Sequence, residues 1–275
     1  MSEEIRPELK ARMRDGVPPI LSVQDLHVQY GKNQVLRGVN LDIYPGETMV
    51  ILGASGSGKS TLLRHIEALA CPASGHIFIK GVDIATCSDE ELHQTRRIMG
   101  VSFQSAAMFN SMTVGDNVAL PLREHTTLAE PTIKLMTQMK LGQVGLAGSE
   151  ELFPSQLSGG MKKRASVARA LAMDPEILVF DEPSAGLDPI IGAGIDQLIL
   201  ELKRAFKMTI VVVTHEMMSA FLIADRMCML HKGQIIAVGT PEELKQHEHP
   251  RVRQFLNRIA DETSSEDSGI SIDGL

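Results

Sequence analysis

Gly53-Ala54-Ser55-Gly56-Ser57-Gly58-Lys59-Ser60-Thr61 is the stretch from which the fold is read. Its three glycines let the backbone curl so that successive N–H groups face inward and form a nest for an anion. The stretch follows a short apolar strand, Thr48–Leu52, and opens a helical run, Ser60–Leu69. The nest therefore lies at a helix N-terminus, where unpaired N–H groups and the helix dipole both favour phosphate. Lys59 is placed to reach the β- and γ-phosphates of ATP, and the Ser60 hydroxyl to ligate Mg²⁺. A glycine-rich linker would have neither flank.

Two further stretches complete a nucleotide site. Ile177-Leu178-Val179-Phe180 is a buried-strand pattern ending in Asp181-Glu182. Strand side chains alternate, so the two carboxylates are expected to face differently. Asp181 would hold the Mg²⁺ hydration shell, and Glu182 would polarise the attacking water as general base. Leu157-Ser158-Gly159-Gly160-Met161, ahead of a helix over Lys162–Ala172, is a second anion nest with a serine donor. One nucleotide has no need of two nests in one chain. Ser158, Gly159 and Gly160 are therefore expected to cap ATP held by a second copy, which makes the working unit a homodimer. Thr209-Ile210-Val211-Val212-Val213-Thr214 delivers His215 to the C-terminal end of a strand, where α/β sites lie.

Working outward, Leu21–Tyr30 and Val35–Ile43 alternate and predict antiparallel sheet, and Gly75–Lys80 alternates again. Residues from about Ser88 to Met173 are expected to be mostly helical, with breaks at Pro121, Pro131 and Pro154. Apolar strands alternating with helices then predict a parallel sheet covered on both faces. Thr240-Pro241-Glu242-Glu243 has the pattern of an N-cap, a proline at the first helical position and a capping-box glutamate. Val252, Phe255, Leu256 and Ile259 make the stripe of a short amphipathic helix, to be covered by the chain's own domain or by a neighbour. The expected organisation is a flexible segment 1–19, an ATPase domain 20–245 with helices over about 105–173, a C-terminal helix 246–260 and an acidic disordered tail 261–275.

At 275 residues, 43% hydrophobic and 22% charged, the chain can bury a full core without staples. Cys71, Cys87 and Cys228 have neither a paired nor a metal-ligand spacing, which fits a reducing compartment. No apolar run approaches the ~20 residues needed to span a bilayer. A cytosolic chain is expected, reaching a membrane only through partners. Net charge is −7 and the one basic block is Lys162-Lys163-Arg164, expected to be a solvated helix face, so nucleic acid is not an expected partner.

These motifs, in this order, resemble those of ATP-binding-cassette (ABC) ATPases from about Leu21 to Glu243. The resemblance implies an α/β P-loop NTPase core with a mostly parallel sheet, an N-terminal antiparallel β subdomain and an inserted helical subdomain. It also implies that Tyr30 stacks on adenine and that Gln104 touches Mg²⁺ and water while sensing the transporter. Ser184–Asp188 then resembles the D-loop, with Asp188 near nucleotide, and His215 the switch histidine on the γ-phosphate. Met161 stands where the family usually has glutamine, after the phosphate-facing residues. Phe103–Val114, Asn117–His125, Ser158–Arg169, Asp181–Pro189 and Val252–Asn257 are more particular. They resemble the ATPase of the Mla, MCE-associated phospholipid transporters of Gram-negative bacteria. That likeness implies a membrane permease, an MCE lipid-binding protein and a small STAS-domain protein as partners, and a place at the cytoplasmic face of the inner membrane. A generic small-solute importer ATPase shares every catalytic motif and is the alternative. Met108, Phe109, Met112 and Val114 suit either a partner surface or a helical core. A chromosome-type ABC ATPase would carry coiled coils or a zinc hook, and a two-cassette factor a second set of motifs; the sequence shows neither.

Overall fold

A computed structural model describes residues 6–259. Ten strands follow in chain order: β1 (Leu21–Tyr30), β2 (Asn33–Ile43), β3 (Thr48–Leu52), β4 (Ser74–Ile79), β5 (Val82–Asp83), β6 (Met99–Ser102), β7 (Ile177–Asp181), β8 (Thr209–Val213), β9 (Arg226–His231) and β10 (Gln234–Gly239). The helices are α1 (Pro7–Lys10), α2 (Lys59–Ile66), α3 (Asp89–Arg97), α4 (Val114–His125), α5 (Glu130–Gln143), α6 (Gly159–Ala170), α7 (Pro189–Phe206), α8 (Met217–Ile223), α9 (Pro241–Lys245) and α10 (Pro250–Leu256).

The strands form two sheets, one ordered β2-β1-β4-β5 and antiparallel, the other ordered β10-β9-β3-β8-β7-β6. In the second sheet β9, β3, β8, β7 and β6 run parallel, and β10 turns back against β9. Every residue of β3 and β8 is buried, as expected for strands covered on both faces. One core cluster lies between the two sheets and includes Leu21, Val23, Met49, Ile51, Val211 and Val213. A second, under α6, α7 and α8, takes the alternate residues Val50, Leu52, Val212, Leu178 and Phe180, and a small third holds Ala119, Leu122, Ile133 and Ala172. Burying each such side chain stabilises the fold by roughly 1.5–3 kcal/mol.

Several expectations need correction. The stretch 88–173 contains a strand, β6, whose Gly100 lies so close to α6 that a Cβ there would sit 2.2 Å from the Ala170 carbonyl oxygen. Pro121 falls inside α4 rather than breaking it, while Pro131 opens α5 and Pro154 opens a 3₁₀ turn. Residues 6–19 are tied down rather than loose: Leu9 is buried, Arg12 pairs with both Asp42 oxygens at 3.1 and 3.0 Å, and Tyr44 Oη donates to the Arg12 carbonyl. Residues 1–5 and the tail 261–275 lie outside the described residues. At the other end Thr240 caps α9 with Glu243 completing its capping box. In α10, Val252 is fully buried and Phe255 and Leu256 pack on the chain's own core, whereas Ile259 is 61% exposed. Val114 and Met108 likewise belong to the core, while Phe109 is exposed.

Candidate nucleotide site

Four adjacent parallel strands end at one edge of the larger sheet, and each hands over one of the expected site segments. Gly53–Thr61 follows β3, His215 follows β8, Asp181-Glu182 closes β7, and Gln104 follows β6. Ligands of open α/β sheets lie beyond the carboxyl ends of the strands, so this edge is where a ligand belongs.

The glycine-rich loop has the backbone its sequence demands. Gly56 and Gly58 adopt left-handed φ values of 76° and 108°, which residues with a Cβ rarely take. At Gly53 a Cβ would meet the Leu230 carbonyl at 2.4 Å. Lys59, 9% exposed, donates from Nζ to the carbonyls of Gly53 at 2.7 Å and Ala54 at 3.3 Å. Burial pulls its pKa down, and the charges of Glu182 and Asp181 oppose that. Ser57 Oγ is buried without a hydrogen-bond partner, and Ser60 and Thr61 start α2 with Ser60 exposed. The β9–β10 turn, which sequence reading missed, secures this loop. Gly233 N donates to the Ser57 carbonyl at 2.9 Å, and its own carbonyl accepts from Arg37 N at 2.9 Å.

Glu182 is not oriented by strand alternation as expected. The strand stops at Asp181, and Glu182 takes a left-handed φ of 46° that swings its carboxylate toward β8. There Oε1 meets His215 Nδ1 at 2.9 Å and Oε2 accepts from the His215 backbone N–H at 3.4 Å. A carboxylate only accepts, so Nδ1 carries the proton and Nε2 is left for another partner. Burial, then the nearby Glu182 charge, raises the pKa of Asp181; Lys163, Lys59 and Arg64 pull it back.

Ser158 caps α6, its Oγ accepting from Met161 N at 3.3 Å, and Ser158 and Gly159 are exposed. Gly160 is packed on α7, where a Cβ would strike Ile191 at 2.5 Å. Among the described residues no hydrogen bond joins Ser158 or Gly159 to Gly53–Thr61. Asp188 caps α7 through Oδ1, accepting from Ile190 and Ile191 N–H at 3.1 Å each. A cleft of about 1030 Å³ brings Ala54, Ser55, Asp188 and His215 to one surface with Leu187, Met218 and Phe255. Tyr30 lies apart, at the end of β1 in the other sheet and 53% exposed. Gln104 is exposed.

Residues 36–185 match the family model described as ABC transporter. This chain belongs to the ABC transporter family. The cassette is 41% identical over 249 residues to the intermembrane phospholipid transport system ATP-binding protein MlaF of Escherichia coli K12, covering 90% of this chain and 93% of that one. It is 44% identical over 246 residues to the "Probable ribonucleotide transport ATP-binding protein mkl" of Mycobacterium leprae, covering 90% of this chain and 70% of that protein. Of the Mycobacterium tuberculosis relative of that name it spans 66%. Among solved structures, cbiO1 of Clostridium perfringens, part of an ABC transporter complex, superposes with a TM-score of 0.77 at 30% identity, over 88% of this chain and 96% of that one. The cassette MJ0796, solved as a dimer bound to ADP and Pi, does so with a TM-score of 0.72 at 31% identity over 80% and 98%. The ABC cassette is an ATP-hydrolysing module, and this chain is one.

Two cassette residues escaped the sequence reading. Lys163, expected on a solvated face, is 6% exposed and donates to the Glu182 carbonyl at 3.0 Å, with burial lowering its pKa. Arg164 likewise turns inward, onto the carbonyls of Val144 and Gly194. Lys163 and Arg164, five and six positions after Ser158, face the residue after β7 and the body of α7, a placement that needs the helix to start at Gly159. Glu67, buried at the end of α2, is pushed up to about 7 by burial and then by the Asp181 charge.

Proposed function

We propose that this cassette is the ATP-hydrolysing subunit of a phospholipid transporter of the Mla, MCE-associated type. It works as a homodimer beneath an integral membrane permease at the cytoplasmic face of the inner membrane. An MCE lipid-binding protein and a small STAS-domain protein are its further partners. The observation that carries this reading is the end-to-end match to a phospholipid transport ATP-binding protein, 93% of whose length is covered. The mycobacterial relatives carry a ribonucleotide name but are covered over only 70% or less. Among the described residues no helix is long and apolar enough to cross a membrane. In this reading residues 20–245 are the ATPase domain, about 105–173 its helical subdomain, and 246–260 an appended segment that contains α10 (Pro250–Leu256).

The site residues divide the work. Gly53–Thr61 wraps the phosphates with backbone N–H groups, and Lys59 exchanges its two carbonyl contacts for the β- and γ-phosphates. The exposed Ser60 hydroxyl, the Asp181 carboxylate and the Gln104 amide are hard oxygen donors of the kind Mg²⁺ takes in small number, keeping its waters. Bound there, Mg²⁺ would neutralise phosphate charge. Glu182, oriented by His215, takes the proton of the attacking water, and His215 Nε2 remains to donate to or accept from the γ-phosphate region. Tyr30 stacks on adenine. Ser158, Gly159 and Gly160 close over nucleotide on the other copy, with Asp188 beside the junction.

Purifying the tagged chain with its membrane complex, and extracting what the complex holds, tests the cargo. Bound phospholipid is expected. A ribonucleotide, or a solute-binding protein with a small polar solute, would contradict the phospholipid reading while leaving the ATPase reading intact.

A further inference from the structure

Gln104 sits in a loop that is fastened both before and after it. Before it, Ser102 Oγ meets Ser166 Oγ of α6 at 3.2 Å, both residues being buried. The Ala106 N–H closes a turn onto the Phe103 carbonyl at 3.0 Å, with Gln104 and Ser105 at its tip. After it, the fully buried Asn117 holds both backbone groups of Phe109 and the carbonyls of Met112 and Thr113. The turn itself is held by Arg169, also from α6. Its Nη1 donates to the Ala107 carbonyl at 2.6 Å and its Nη2 to the Ala106 carbonyl at 3.0 Å.

This contact needs an explanation. Ala106 and Ala107 are consecutive alanines with φ of 62° and 45°, a left-handed pair that a Cβ disfavours at each residue. Such strain persists only where surrounding structure enforces it. Arg169 is the enforcing group: a planar fork matched to two adjacent carbonyls. Among the described residues it has no carboxylate partner, and burial acts on it without a compensating charge.

We propose that Arg169 is a positioning residue for the ATPase reaction, holding the left-handed Ala106–Ala107 turn so that Gln104 projects toward the Mg²⁺ site. The inference rests on the reading of Gln104 given above. Ser158 caps the same helix, α6, that carries Ser166 and Arg169, so one element joins the Ser158 nest to the Gln104 loop.

The test is a set of variants of the full chain assayed for kcat, KM and melting temperature. Arg169→Ala should lower kcat by about tenfold to a hundredfold, the scale of a mispositioned catalytic group, with KM for ATP changed by no more than about twofold. Arg169→Lys, which cannot span both carbonyls, should fall between. Glycine adopts the left-handed region freely, so Ala106→Gly with Ala107→Gly, added to Arg169→Ala, should restore most of the lost kcat. On a Gln104→Ala background, Arg169→Ala should add little. An unchanged kcat in Arg169→Ala overturns the proposal. So does a loss that the glycines leave unrelieved and that adds in full to Gln104→Ala, the mark of a packing role. Gln104→Ala with wild-type kcat would instead remove the role of Gln104, a failure read on a different variant.

Discussion

Glu182 and His215 meet through two bonds because a left-handed residue closes β7, and this geometry sets the first expectation. Glu182→Gln keeps the shape and removes the base, so turnover should fall by at least ~10²-fold while ATP binding persists. Lys59→Ala should instead weaken ATP binding itself, measured by nucleotide titration. Wild-type turnover in Glu182→Gln would show that another group takes the proton. Glu67 supplies a pH dependence. A carboxyl whose folded pKa, about 7, lies above its unfolded value near 4.5 holds its proton more tightly when folded. Stability is thus highest below pH 4.5 for this group and declines as pH rises to about 7, by on the order of 3 kcal/mol without bound metal. Glu67→Gln should flatten that decline in denaturant titrations at pH 5 and 8; an equal slope in both proteins would place the effect elsewhere.

Elements differ in how openly their residues declare them. The strands β3 and β8 are unbroken apolar runs, and the loop after β3 needs its glycines, so both were legible. The strand β6 was not: four residues with a glycine and a serine have no period to read, and its place follows from pairing with β7 and from Gly100 against α6. Pro121 was misread because a proline within a helix loses the bond its N–H would have made and crowds the carbonyl four residues back, about 3 kcal/mol in all, and the packing of α4 outweighs that. In the site, residue types were legible but directions were not. Lys163 pointing inward and Glu182 turning toward His215 depend on helix phase and on one positive φ, which spacing alone does not carry. The helix α10 presents the stripe expected of it, and Val252, Phe255 and Leu256 lie on the chain's own core. Removing residues 250–275 deletes side chains worth roughly 1.5–3 kcal/mol each when fully buried. The melting temperature of the monomer should therefore drop by several degrees. An unchanged value would mean that these contacts contribute nothing to the fold.

At the scale of the whole molecule, the phosphate nest after β3 and the exposed nest at the α6 N-cap sit in one chain with no bond between them among the described residues. A two-fold pair of chains lets each nest serve the other copy, since a symmetric interface repeats every contact. Chains carrying Lys59→Ala and chains carrying Ser158→Arg should each be inactive alone. Co-assembled, one mixed dimer holds a doubly defective site and one with wild-type residues on both sides. The ATPase rate of the co-assembled mixture is the decisive measurement. Recovery toward about a quarter of the wild-type rate, from half the dimers carrying one good site of two, is the predicted result. A mixture whose mixed dimers form yet remain as inactive as either parent would contradict a site completed by the second copy.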